Sequence, residues 1–148
     1  GAIAANGLAA AITRETPTGN SELWLARRAT LTEPFGFVER APDPVNVHDR
    51  SILHPAFSPD GRTLVATCLG PDGPSGDIFL FHRDGLDLPF DHARRLQPPV
   101  NSSHWEMPYV ISDDRCFLIA SRQWVTADQR VIREVRHYSR ATAFQVFE

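Results

Sequence analysis

Hydrophobic positions along the chain fall into short runs that recur at a fixed distance. Each run is apolar at nearly every position and follows a polar turn. The turn Ser58-Pro59-Asp60-Gly61 lies midway between its two counterparts, which begin at Ala4 and Ser112. Equal spacing of this kind predicts one supersecondary unit that is used several times. The three runs are residues 8–12, 63–68 and 117–120.

The turns predict tight connections between antiparallel strands. Asn6-Gly7 and Asp60-Gly61 tolerate the positive φ that such a turn demands. The third copy has Asp114-Arg115 instead, which predicts either a different turn geometry or local strain. Because the apolar runs do not alternate with polar residues, we expect strands covered on both faces, in a small sheet packed between two other sheets.

A second strand is predicted after each run, at residues 22–26, 77–81 and 134–138. An acidic residue opens each copy, and the third copy is more polar, which predicts an edge or partly exposed strand. The rest of the unit also repeats. Pro44-Val45-Asn46 returns as Pro99-Val100-Asn101, and Arg28-Ala29-Thr30 returns as Arg140-Ala141-Thr142.

The fold predicted from these elements is an all-β propeller. No segment has the 3.6-residue apolar stripe of a long helix, and the chain contains 12 prolines and 9 glycines. We expect one propeller portion over residues 1–148, made of about three four-stranded antiparallel sheets in repeats of about 1–46, 47–101 and 102–148. A β-sandwich is the competing architecture, but it gives no reason for a repeated sequence. Since closure needs roughly four to eight blades, we expect further chain or a second copy to complete the ring.

The charge, the hydropathy and the cysteine positions each argue against one property of the chain. Lys plus Arg number 15 and Asp plus Glu 18, giving a net charge of −3 without any block of like charges. This balance disfavours nucleic acid and anionic membranes as partners. No window has the 18 or more apolar residues of a membrane span. Cys68 and Cys116 occupy non-equivalent repeat positions, which argues against a disulfide between them.

The middle repeat carries a family resemblance. Residues 54–67, His-Pro-Ala-Phe-Ser-Pro-Asp-Gly-Arg-Thr-Leu-Val-Ala-Thr, precede a Gly-rich loop and Asp77-Ile78-Phe79-Leu80. This stretch resembles the blade repeat of TolB-type, WD-like bacterial β-propellers. The resemblance implies a periplasmic or extracellular bacterial setting, a non-catalytic role in recognising a protein or glycan partner, and no cofactor.

Two other classes of function stay open. The first alternative is that the chain is part of a propeller-containing hydrolase or lyase, such as a glycosidase or a peptidase gating domain. The second is that it is a structural subunit of a larger assembly. A Gly-x-Ser-x-Gly elbow is absent from the sequence, and the resemblance carries over no catalytic residues. The interpretation therefore leans away from an enzyme.

The candidate binding residues lie on the connections between repeats, residues 46–51 and 101–106. Such connections line the channel mouth of a propeller, where ligands often bind. Trp105 would stack on a sugar ring or a partner side chain, while Arg50 and Glu106 would bond polar groups. Alternatively these are ordinary linkers in which Asn46 and Asn101 cap turns. The candidate residues are His48, Asp49, Arg50, His104, Trp105 and Glu106.

Metal and phosphate sites are not predicted. His48, His54 and His104 come nearest to a cluster, but their spacing matches no zinc motif. We expect Asp60, Asp113 and Asp114 to bond backbone amides of their own turns. The Gly-rich stretch 70–76 joins two predicted strands, so it is expected to form a hairpin loop rather than a phosphate loop.

Overall fold

The computed structural model describes residues 1–47, 50–70 and 75–139, and the regular secondary structure in these residues is entirely β-strand. The all-β prediction is confirmed. The strands are β1 Ala2–Ile3, β2 Ala9–Glu15, β3 Ser21–Arg27, β4 Phe37–Arg40, β5 Ser51–Phe57, β6 Thr63–Leu69, β7 Gly76–His82, β8 His92–Arg95, β9 Trp105–Ile111, β10 Phe117–Val125 and β11 Val131–Ser139.

These strands form three antiparallel sheets in which each strand pairs with the next one along the chain. Blade 1 contains β1–β4, blade 2 contains β5–β8, and blade 3 contains β9–β11. The architecture is that of consecutive propeller blades. Arg140-Ala141-Thr142, which the sequence aligns with Arg28-Ala29-Thr30, lies outside the described residues.

Blade 2 is covered on both faces, as its apolar run predicts. Leu64 and Ala66 on β6 lie in a core shared with blade 1. Val65, between them in sequence, and Ile78 lie in a second core shared with blade 3. Successive side chains of β6 therefore point to opposite faces of the sheet, and both faces are buried.

Blades 1 and 3 each have one neighbouring sheet among the described residues, so their runs are only partly buried. Ile12 on β2 is 43% exposed and Phe117 on β10 is 37% exposed. Strand β11 begins with three exposed residues and from Arg133 onward alternates between exposed and half-buried positions, and Val135 in its centre is 64% exposed. The prediction of a partly exposed strand in the third copy is confirmed, whereas coverage of both faces is confirmed only for blade 2.

The three repeated turns adopt the same backbone conformation. Gly7, Gly61 and Arg115 have φ of 70°, 75° and 57°. The Gly61 and Arg115 amides each donate a hydrogen bond of 2.9 Å to the carbonyl three residues earlier. The alternative of a different geometry in the third copy is therefore wrong, and Arg115 occupies a left-handed conformation that costs an L-residue roughly 1–2 kcal/mol.

These turns also bond to one another from blade to blade. The Asn6 amide donates to the Pro59 carbonyl at 3.0 Å, and the Asp60 amide donates to Asp113 Oδ1 at 2.8 Å. Burial alone would raise the pKa of Asp60, but hydrogen bonds to its carboxylate from Ser58 Oγ and the Arg62 amide outweigh burial and lower it. Asp60 and Asp114 thus bond backbone amides of their own turns, as expected, whereas Asp113 bonds an amide in the turn of blade 2.

A second repeated contact fastens the β3–β4 and β7–β8 connections to these turns. Arg28 Nε donates to the Gly7 carbonyl at 2.7 Å. Arg83 donates from Nε and Nη2 to the Gly61 carbonyl at 3.1 and 2.9 Å. Each guanidinium also lies 4.6 Å from a phenylalanine ring, that of Phe35 or Phe90. Arg83 is therefore the structural counterpart of Arg28 in blade 2.

Candidate functional site

The linkers between blades share one end of the molecule with the β2–β3, β6–β7 and β10–β11 loops. This follows from the antiparallel order, because β4 runs parallel to β2 and therefore ends at the same edge. A hydrogen bond of 3.3 Å from Ser51 Oγ to Asn20 Oδ1 joins the two kinds of connection. We call this the linker end, and we call the opposite edge, with the Gly7 and Gly61 turns, the turn end.

Asn46 and Asn101 fix the two linkers by an identical set of three hydrogen bonds. Asn46 Oδ1 accepts from the Leu23 amide at 2.8 Å, and its Nδ2 donates to the carbonyls of Leu23 and Ala41 at 2.8 and 2.7 Å. Asn101 bonds Ile78 and Leu96 in the same way, at 2.8, 2.9 and 2.7 Å. Both side chains are buried. The repeated asparagines therefore attach each linker to the third strand of the preceding blade.

Arg50 follows the first of these asparagines and reaches toward blade 2. Its guanidinium carbon lies 5.5 Å from the centre of the half-buried Phe79 ring, within cation–π distance. The residue is exposed. It also lines a polar cavity of about 360 Å³ with Thr18, Glu22 and Arg40. His48 and Asp49, the other candidates on this linker, lie outside the described residues.

His104 and Trp105 lie at the start of β9, on the second linker. The His104 ring stacks on Trp124 with 5.4 Å between ring centres and an interplanar angle of 27°. The indole of Trp105 packs over Gly76, where a Cβ would come within 3.4 Å of its ring atoms. All three aromatic residues are half-buried, so each ring is held on one side while part of it remains accessible.

Glu106 is placed differently from its neighbours, since it is only 1% exposed. Its Oε1 accepts hydrogen bonds from Arg122 Nε at 3.0 Å and from Ser102 Oγ. Arg122 in turn donates to the Pro99 carbonyl at 2.8 Å. The carboxylate thus joins the linker to β10 instead of facing solvent. Sequence alone does not reveal this, because its arginine partner lies on a different strand.

A cavity of about 310 Å³ opens beside His104 at the linker end. We call it the tryptophan cavity. The residues that line it are Ser75, Ser103, His104, Trp105, Gln123, Trp124 and Val125. Trp124 is missing from the sequence-based candidates, although a detectable signal exists: it lies one residue before the end of β10, beside the β10–β11 loop, which must lie at the same end as the linkers.

The acidic residues near the start of β3 and β7, the third strands of blades 1 and 2, form equivalent ion pairs. Glu22 Oε1 accepts from Arg40 Nε at 2.8 Å, and Asp77 accepts two hydrogen bonds from Arg95 at 2.8 and 2.9 Å. Bidentate pairing of the second kind orients both side chains. This repeated acidic position therefore joins the third strand of the blade to the fourth.

Other kinds of site find little support in the described part of the chain. Residues 1–47, 50–70 and 75–139 contain no group of three or more His, Cys, Asp or Glu side chains placed to hold a metal ion. No helix in these ranges is long and apolar enough to cross a membrane. Leu69 pairs with Gly76, so β6 and β7 are antiparallel neighbours, while residues 71–74 of the Gly-rich stretch between them lie outside the described residues.

Comparison with known proteins identifies a solved structure with a similar fold. No protein-family profile matches the chain, and no curated protein matches it at a significant level. Among solved structures, the chain is similar to TolB from Acinetobacter baumannii, with a TM-score of 0.53 and 14% sequence identity. The match covers 91% of this chain and 28% of the TolB chain. The chain therefore has a TolB-like β-propeller fold, and its likeness to TolB is one of fold at low sequence identity.

Proposed function

We propose that the chain is a non-catalytic β-propeller module that recognises a protein or glycan partner through its linker end. The observation that carries the proposal is the contrast along the second linker. Asn101 and Glu106 are buried and bonded inward, whereas His104 and Trp105 between them are half-exposed. A rigid support under accessible aromatic rings is the arrangement that recognition surfaces use.

Ion pairs of three carboxylates at or near the linker end favour binding over hydrolysis. A glycosidase of the usual kind needs two carboxyl groups free to act on substrate. Glu22, Asp77 and Glu106 are each paired with an arginine of their own blade. These ion pairs hold the three carboxylates against arginines of the chain itself, which supports a surface that binds a ligand without hydrolysing it.

The same proposal includes a cellular location for the module and a source for the remaining propeller blades. We place the module in the bacterial periplasm or outside the cell because its middle repeat resembles TolB-type propellers. The remaining blades come from the same longer polypeptide or from a second copy of the chain. The apolar residues that blades 1 and 3 leave exposed, Ile12 and Val135 among them, support such a neighbour.

Retention of a bacterial envelope extract on the immobilised chain tests the proposal. We expect the wild type to retain a protein or glycan component, and Trp105→Ala or Arg50→Ala to retain at least tenfold less. Thr30→Ala, at the exposed turn end, is the control and should retain as much as the wild type. Circular dichroism must show that the variants are folded, since unfolding of Trp105→Ala would mean that this side chain is a core residue.

Two outcomes contradict the proposal. One is a wild type that retains nothing above a blank matrix. The other is a component that the linker-end variants retain normally and Thr30→Ala loses, which would move recognition to the turn end.

A further inference from the structure

We propose that the ligand of the tryptophan cavity is a neutral oligosaccharide, one of whose sugar rings stacks on Trp105 or Trp124. This inference rests on the proposed function and chooses between its two kinds of partner. It depends on three properties of the cavity: fixed aromatic rings, polar groups beside these rings and the absence of formal charge among the described lining residues.

The rings are in place before a ligand arrives. Trp105 is supported by the backbone of Gly76, and Trp124 is supported by the His104 ring. A binding site that is already ordered spends less conformational entropy on association. Pyranose rings carry C–H groups on their faces and hydroxyls at their edges, so the flat apolar face of an indole matches one side of a sugar.

Polar groups lie beside these rings. Gln123 is directly opposite Trp105 in the β9–β10 register. Its Oε1 accepts from Arg133 Nη2 at 2.7 Å, which orients the amide, and its nitrogen is a hydrogen-bond donor. The hydroxyls of Ser75 and Ser103 line the same cavity. Amides and hydroxyls are the groups that bond sugar hydroxyls in both directions.

The charge and size of the cavity argue against charged ligands and extended peptides. None of its described lining residues is Asp, Glu, Lys or Arg, and the nearby Arg133 guanidinium bonds Gln123 Oε1, so the lining itself offers no cation to an acidic sugar or phosphate. A proline-rich peptide also binds aromatic grooves, but it needs an extended one. At about 310 Å³ the cavity is at the small end of ligand sites, which start at roughly 300 Å³, and it suits one or two sugar rings.

Calorimetric titration with defined ligands tests the inference. The probes are cellotetraose, chitotetraose and maltotetraose as neutral glycans, with trigalacturonate and decaproline as competitors of other chemistry. We expect at least one neutral glycan to bind saturably, and Trp105→Ala and Trp124→Ala to weaken that binding about tenfold or more. Trp24→Ala is the matched control, because Trp24 lies on blade 1 under Arg14, and its loss should leave glycan affinity unchanged.

The indole N–H signals in nitrogen-15 NMR spectra provide a readout that does not depend on the variants folding. The chain has three tryptophans, and we expect the signals of Trp105 and Trp124 to shift with the glycan while that of Trp24 does not. The inference is overturned if no neutral glycan binds at 10 mM, or if trigalacturonate or decaproline binds more tightly than all three. If it is overturned while the envelope extract is still retained through Trp105, the proposed function stands with a protein partner.

Discussion

Replacement of Asn101 by alanine tests the structural basis of the linker end. The substitution removes three buried hydrogen bonds, of 2.8, 2.9 and 2.7 Å, to Ile78 and Leu96. It leaves the Ile78 amide without the acceptor that Asn101 supplies. At about 1 kcal/mol for each net hydrogen bond, the free energy of unfolding should fall by about 3 kcal/mol. That is a large fraction of the roughly 5–15 kcal/mol typical of a domain.

Urea denaturation of the full chain, followed by far-ultraviolet circular dichroism, measures this loss. Asn46→Ala removes the equivalent bonds from the first linker and should cost a similar amount. Asn20→Ala is the matched control, since its half-buried side chain accepts a long hydrogen bond of 3.3 Å from Ser51, and we expect it to cost less than about 1 kcal/mol. An Asn101→Ala variant that is destabilised no more than the control would refute the structural role of the repeated asparagines.

Three further predictions concern the turns and the thiols. Gln129 has φ of 64° in the exposed β10–β11 turn, so Gln129→Gly should raise the free energy of unfolding by about 0.5–1 kcal/mol in thermal melts; a lower melting temperature would contradict this. Because the pKa of Asp60 is lowered, it stabilises the fold above its ordinary pKa of 3.8, and this contribution is lost as pH falls through its folded pKa. Asp60→Asn should therefore lose less stability between pH 6 and pH 3 than the wild type or the exposed-site control Asp84→Asn, and an unchanged pH dependence would count against it. Burial raises the pKa of Cys68 to about 12, so a thiol reagent should modify Cys116 in the native chain and Cys68 only after denaturation, whereas rapid reaction of both would show that Cys68 is accessible.

The sequence predicts the local features of the fold well because they are encoded over a few residues. Turn dipeptides and apolar runs locate β2, β6 and β10, and the equal spacing of the three copies assigns them to equivalent positions. The repeated Pro-Val-Asn motif is open to a functional or a structural interpretation in the sequence. Its buried hydrogen bonds to the preceding blade settle the role of Asn46 and Asn101 as structural.

What the sequence does not predict depends on contacts between distant residues. Glu106 is polar and lies on a linker, which is typical of a surface group, yet Arg122 from another strand makes its burial tolerable. Trp105 and Trp124 lie on different strands and line one cavity only because β9 and β10 pair. The equivalence of Arg83 to Arg28 is hidden because the sequence around Arg28 resembles that around Arg140 more closely.

Photo-crosslinking from single positions tests whether partners bind at the linker end. A benzophenone amino acid would replace Ser103, which is exposed beside the tryptophan cavity, or Thr30, which is exposed at the turn end. Each chain would be irradiated with the same bacterial envelope preparation, since benzophenones insert into C–H bonds of proteins and glycans alike. We predict a discrete crosslinked product from position 103 and none from position 30. A product from position 30 alone, or equal products from both, would contradict the account.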